Sequence, residues 1–230
     1  MLPGRRPEPG RTEEPAVLLS GVTRVFGVAP ALVRVDLRIE RGETLLIRGP
    51  NGAGKSTLLR LMATAISPTY GGGSVLGFDL VRERDEIRRR TELLGHRTRL
   101  YEDLTALENL RFTCSLYGLD AVTAPGALDR VGLGDVAGER VGSFSQGMRQ
   151  RVALARLIVR HAELQLLDEP YAGLDGRAKE LVDGLIREAS ADGRTVVLAT
   201  HDPARGAGAS RALFIDEGRL LPATGAVGSP

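Results

Sequence analysis

The sequence predicts an α/β protein with a mainly parallel sheet, an antiparallel β portion near the N-terminus and a helical insertion in the middle. Three observations carry this. Thr44-Leu45-Leu46-Ile47 is a short apolar β-prone run that leads through a glycine loop into a helical pattern. After residue 160, apolar strands alternate with a helix, the pattern that produces parallel sheets covered on both faces. Between Ala31 and Ile39, apolar and polar residues alternate, as in a half-buried antiparallel strand.

In chain order, residues 1–15 are rich in Pro, Gly, Arg and Glu and predict a disordered tail, since they offer no apolar face to bury. Ala16 to Val25 predicts a first strand and Ala31–Ile39 a second. Beyond the glycine loop, Leu58, Leu61, Met62, Ala65 and Ile66 fall at helical spacing, and the helix is expected to run to about Ser67, before Pro68. Gly71-Gly72-Gly73 predicts a turn, with a short strand at Ser74–Leu76. The stretch 85–159 predicts a helical subdomain, in which Asp103 or Thr105 caps a helix carrying Leu107, Leu110 and Cys114. Leu164–Leu167 is expected as a strand, Ala178–Ala189 as a helix and Thr195–Thr200 as a strand. A hairpin turning at Asp216-Glu217-Gly218 follows, and 222–230 predicts a second tail.

Composition narrows the function classes. The net charge is +2, with aromatics at 4% and no tryptophan, so nucleic acid is not expected as a partner. The arginines at 82, 84, 88, 89 and 90 are interleaved with Glu83, Asp85 and Glu86, as on a solvated helix face. No apolar run approaches the length of a membrane span, and the N-terminus lacks a signal-peptide core, so the chain is expected in the cytoplasm. Cys114 is the only cysteine, which excludes an internal disulfide.

The chemistry begins at Gly49-Pro50-Asn51-Gly52-Ala53-Gly54-Lys55-Ser56-Thr57, which fits G-x-x-x-x-G-K-[ST] between a strand and a helix. Glycines let the backbone wrap a phosphate chain, and the N–H groups at a helix start point at the anion. Lys55 would reach the β- and γ-phosphates of a nucleotide, and the Ser56 hydroxyl would bind Mg²⁺. Leu166-Leu167-Asp168-Glu169-Pro170 is an apolar strand ending in two carboxylates. Asp168 suits a Mg²⁺ site, and Glu169 suits the general base for an attacking water. Gln165 interrupts this strand and requires a polar partner if buried. Between the two motifs, Ser145 and Gly147 open a further helix, where a hydroxyl and a bare backbone can meet an anion.

The order of these motifs resembles the ATP-binding subunits of ABC transporters, over nearly everything from Leu18 to Leu220. Residues 16–221 would then form one ATP-binding domain of the P-loop NTPase class, and ATP hydrolysis would drive transport. The signature usually reads Leu-Ser-Gly-Gly-Gln and here reads Phe144-Ser145-Gln146-Gly147-Met148. The resemblance implies that Ser145, Gln146 and Gly147 contact ATP held by a second ATP-binding domain, in a homodimer or heterodimer. It makes Phe26 the ring that stacks on adenine, Asp175 of Gly173-Leu174-Asp175 the D-loop acid, and His201 the switch histidine beside the γ-phosphate.

His96 takes the place of the glutamine that opens the Q-loop. Leu94-Gly95-His96 and Leu104-Thr105-Ala106-Leu107-Glu108-Asn109-Leu110 are similar to the haem-exporter branch of cytochrome c biogenesis. The resemblance implies separate integral membrane subunits and a place on the cytoplasmic face of the cell membrane, with export as the direction. Exporters of drugs, antibiotics or lipids, and soluble ATPases of assembly machines, are the competing branches.

Overall fold

The computed structural model describes residues 14–95, 98–202, 204–206 and 208–222. The tails expected at 1–15 and 222–230 lie outside them, apart from Glu14, Pro15 and Pro222.

Among the described residues, ten strands form two sheets. β1 (Val17–Phe26), β2 (Ala29–Ile39), β4 (Tyr70–Val75) and β5 (Phe78–Asp79) make an antiparallel sheet in the order β2-β1-β4-β5. β3 (Thr44–Arg48), β6 (Thr91–Leu94), β7 (Leu164–Asp168), β8 (Thr195–Ala199), β9 (Arg211–Asp216) and β10 (Arg219–Pro222) make the second, ordered β10-β9-β3-β8-β7-β6. All its pairings are parallel except the β9–β10 hairpin. Six α-helices are present among the described residues: α1 (Lys55–Met62), α2 (Arg84–Arg90), α3 (Ala106–Tyr117), α4 (Ala124–Arg130), α5 (Gln146–Arg160) and α6 (Gly176–Ala191). This is the expected α/β class.

The central parallel strands β3, β7 and β8 are buried on both faces, so their side chains alternate between two cores. Leu45, Ile47, Leu166, Val197 and Ala199 face one core with α1 and the antiparallel sheet. Leu46, Leu167, Val196 and Leu198 face the other with α3 to α6. The phosphate loop therefore leaves β3 at the carboxyl edge of the sheet, where β7 also ends.

Four expectations are corrected. α1 stops at Met62 rather than continuing to Ser67. Thr64 takes a left-handed φ of 54°, its N–H bonds to Leu61 O, and the Ala65 N–H reaches back to Arg60 O. That pair of bonds closes a helix, and a β-branched residue holds such a φ only under outside support. The support is Arg84 and Arg88, whose Nη2 atoms donate to Thr64 O at 2.6 and 3.0 Å. Arg88 thus lies on the solvated face expected of this run, and both arginines also brace the buried helix end.

Gly71-Gly72-Gly73 is not a turn but part of β4. A Cβ on Gly73 would lie 2.0 Å from Leu18 O, and one on Gly71 2.5 Å from Gly21 O, so glycine lets β4 press against β1. The stretch 85–159 encloses a strand of the parallel sheet, β6, paired with β7. Gln165 is buried, yet its Oε1 has no hydrogen-bond partner. Of the two caps considered for α3, Thr105 forms it, in a reciprocal box with Glu108.

Candidate functional site

The loop from Gly49 to Gly54 is shaped by what it presses against. A Cβ on Gly49 would stand 2.1 Å from Ile215 O, and one on Gly54 2.6 Å from Ala31 O. Two supports thus squeeze the loop: β9 on one side and β2 on the other. The hairpin turn adds a clasp, since the Gly218 N–H donates to Ala53 O at 2.9 Å. No motif pointed to this support from β9 and β10. It arises because β9 pairs with β3 in parallel register, Ile47 opposite Leu213.

Lys55 is buried to 6% exposure, and its Nζ donates to Gly49 O at 2.7 Å and Pro50 O at 2.9 Å. An ammonium carries three N–H donors, so one remains for an anion. Asn51, Gly52, Gly54, Lys55, Ser56 and Thr57 line a cavity of about 170 Å³ together with Asp168 and Glu169. Sequence positions over a hundred residues apart meet here because β7 and β3 end at the same edge.

Asp168 is 3% exposed, and its Oδ1 has no hydrogen-bond partner. Burial pushes its carboxyl above the ordinary range, against the lowering effect of the Ser56 hydroxyl. An orphaned buried carboxylate oxygen beside a hydroxyl is a hard-oxygen donor set, the chemistry that Mg²⁺ takes. The residues present fit that ion.

Glu169 sits one residue on, at a left-handed φ of 50°, its N–H held by Ala199 O at 2.8 Å. Its carboxylate is fixed by three groups. Thr200 Oγ1 donates to Oε2 at 3.0 Å, the His201 N–H donates to Oε1 at 3.0 Å, and His201 Nδ1 lies 2.8 Å from Oε1. A strained backbone position held from several sides is typical of a functional carboxylate. Thr200 was not singled out from sequence. It follows from the β7–β8 register, in which Asp168 stands opposite Ala199.

The signature residues lie elsewhere. Ser145 caps α5, accepting from the Met148 N–H at 3.3 Å, and Ser145 and Gln146 are exposed. A Cβ on Gly147 would meet Gly173 O at 2.9 Å, so this glycine lets α5 touch the D-loop. Asp175 caps α6 through the Ala178 N–H at 2.8 Å and accepts from Arg151 Nη2 at 2.6 Å. The Ala178 N–H, and then Arg151, hold its carboxyl below the ordinary range. None of Ser145, Gln146, Gly147 and Asp175 lines the phosphate-loop cavity. Phe26 ends β1 with 47% of its surface exposed. His96 lies outside the described residues.

The sequence and the fold are also similar to known proteins. A family model described as "ABC transporter" matches residues 32–172. The chain is 37% identical to the macrolide export ATP-binding/permease protein MacB 1/2 of Paracoccus denitrificans, over 91% of this chain and 33% of that protein. It is 37% identical to the daunorubicin/doxorubicin resistance ATP-binding protein DrrA of Streptomyces peucetius, over 90% of this chain and 64% of that one. It is 38% identical to the cytochrome c biogenesis ATP-binding export protein CcmA of Xanthomonas oryzae pv. oryzae, over 84% of this chain and 90% of that one. The chain thus spans a third of the first relative and somewhat under two thirds of the second. Among solved structures, the ATP-binding cassette MJ0796, a dimer in a post-hydrolysis state bound to ADP and Pi, superposes with a TM-score of 0.84. Its identity is 28%, over 91% of this chain and all of that one.

Proposed function

The chain belongs to the ABC transporter family, and from that premise we propose that it binds and hydrolyses ATP to power transport through separate membrane subunits. The observation that carries this is Glu169, fixed by Thr200 and His201 at the rim of the cavity that holds Lys55, Ser56 and Asp168.

In this reading the loop 49–57 wraps the phosphates, and Lys55 offers its remaining N–H to them. Phe26 takes the adenine. Ser56 and Asp168 hold Mg²⁺, which supplies charge neutralisation on the phosphate oxygens. Glu169 orients and deprotonates the attacking water, and His201 keeps the carboxylate aimed while facing the γ-phosphate. Ser145, Gln146 and Gly147, away from the chain's own cavity, complete the site of a second ATP-binding domain. Asp175 packs in that interface. Position 96 carries a histidine where the family couples nucleotide state to its partner.

No helix among the described residues is long and apolar enough to cross a membrane. A groove of about 500 Å³ beside β6 and α3, rimmed by exposed Tyr101, Phe112 and Leu116, is the proposed seat of a membrane subunit's cytoplasmic segment. In this reading the chain works at the cytoplasmic face of the membrane, against those subunits. Cytochrome c biogenesis is the proposed branch, supported by Leu104–Leu110 and by similarity across nine tenths of a CcmA protein. The likeness to the macrolide and daunorubicin proteins favours drug export as the second reading.

Glu169→Gln tests the core of the proposal. The variant should bind ATP and pair with a second domain while turnover falls by about 10²-fold or more; unchanged turnover would refute the assignment. Which membrane protein co-purifies with the chain separates the two branches.

A further inference from the structure

Arg24 and Phe26 lie two residues apart on β1, so their side chains share one face of the strand. The Arg24 guanidinium carbon is 4.5 Å from the Phe26 ring centroid, within cation–π range. Arg24 Nε has no accessible surface and no hydrogen-bond partner, so that side of the guanidinium is buried. Phe26 nonetheless keeps 47% of its surface exposed. One face of the ring is therefore backed by a half-buried cation, and the ring keeps an exposed surface away from it.

The same guanidinium reaches further. Arg24 Nη1 donates to Ser67 O at 3.1 Å, in the segment that follows α1. Two more bonds stitch that segment to β1: Thr69 N–H to Thr23 O at 2.8 Å, and Val25 N–H to Thr69 Oγ1 at 3.1 Å. Arg24 thus links the exposed ring to the chain leaving the phosphate-loop helix.

We propose that Arg24 is a positioning residue for the nucleotide base: it holds the Phe26 ring in place, so that the outer face is ready to stack before ATP arrives. The inference rests on the reading of Phe26 as the adenine platform. A side chain that must be immobilised on binding weakens the complex, and one fixed beforehand does not. Arg24 therefore acts on ligands that carry a base and leaves bare polyphosphates alone.

The test compares binding of Mg·ATP and of Mg·tripolyphosphate, which has the phosphates and no base, to the full chain by calorimetry. Phe26→Ala, Arg24→Ala and the double variant are measured beside the parent. Arg24→Ala should weaken ATP binding by about three- to tenfold and leave tripolyphosphate within twofold. The double variant should bind ATP no more weakly than Phe26→Ala alone. Arg24→Gln, which retains a donor for Ser67 but no planar cation, should show the same base-dependent loss, and serves if Arg24→Ala does not fold. The proposal is overturned if Arg24→Ala and Arg24→Gln bind ATP like the parent while Phe26→Ala does not. It is also overturned if tripolyphosphate weakens in step with ATP, or if the two losses add. Unchanged ATP binding by Phe26→Ala refutes the adenine platform itself, and the role of Arg24 with it.

Discussion

Replacing Glu92 by glutamine should destabilise the protein far more than its position on a short strand implies. Glu92 is 7% exposed on β6, and its two oxygens accept from Arg156 Nε at 2.8 Å and Arg160 Nε at 3.1 Å. Arg160, itself buried, also donates to the carbonyls of Arg88, Arg89 and Thr91 and lies 3.2 Å from the Tyr117 ring centroid. Arg156 donates to Thr98 O at 2.9 Å. One carboxylate therefore anchors two guanidinium groups that tie α2, α3, α5 and the segment after β6 together. Removing one partner of a buried ion pair costs about 3–5 kcal/mol, because the remaining charge stays buried without its counter-ion. The carbonyls that Arg160 keeps argue for the low end, about 3 kcal/mol. A glutamine amide also turns N–H groups toward cations. With a urea slope near 3 kcal/mol/M, at the upper end of the range for smaller proteins, the unfolding midpoint should fall by about 1 M. The control is Glu40→Gln, which breaks the solvent-exposed pair with Arg38 and should cost less than about 1 kcal/mol. Equal midpoint shifts for the two variants would refute the reasoning.

Other expectations follow from the site. The folded pKa of Asp168 is raised by burial, so its stabilising contribution is present below about pH 3.8 and lost as pH rises through the raised value. Asp168→Asn should therefore melt at a higher temperature than the parent at neutral pH without nucleotide, the gap closing as the pH is lowered; thermal scans across pH decide it. Arg205→Ala should lower kcat several-fold with KM little changed. Arg205 Nη1 donates to Asp183 at 2.7 Å, and Asp183 accepts from the Tyr171 hydroxyl at 2.6 Å, which pins the segment after His201 to α6. Steady-state kinetics check this, and an unchanged kcat would show that the pin is irrelevant to Glu169 and His201.

Much of this fold is legible in short-range pattern. The strands around the phosphate loop are apolar runs with turn residues at their ends, and Thr105 with Glu108 spells its own helix cap. The glycine loop and the Asp168–Glu169 pair are legible because their chemistry requires those residue types at that spacing. What escaped depends on contacts between distant segments. Gly71–Gly73 has turn composition, but its glycines meet Leu18 and Gly21 across a strand pair. Apolar spacing carries α1 past Met62, yet Arg84 and Arg88, from a later helix, fix its end. β6 is only four residues long and lies among helices, so no local period marks it. Thr200 looks like the end of a strand until register sets it beside Glu169.

The two halves of the proposed nucleotide site have different foundations, and the link between them is short. The phosphate loop rests on β2, β9 and the Gly218 turn. Ser145 and Gly147 rest on α5, whose Gln150 donates to Pro170 O at 3.3 Å and whose Arg151 holds Asp175. Gly147 itself lies against Gly173. All three contacts fall within 170–175, the segment that leaves Glu169. A change in how Glu169 is held therefore reaches α5 within a few residues, through Gly147, Gln150 and Arg151 rather than through the phosphate loop. Because packed contacts of this kind have few alternative arrangements, a small shift at the carboxylate favours a rigid displacement of α5 over a graded one. On the reading proposed above, that geometry would let a residue in the chain's own cavity govern the surface offered to a second domain.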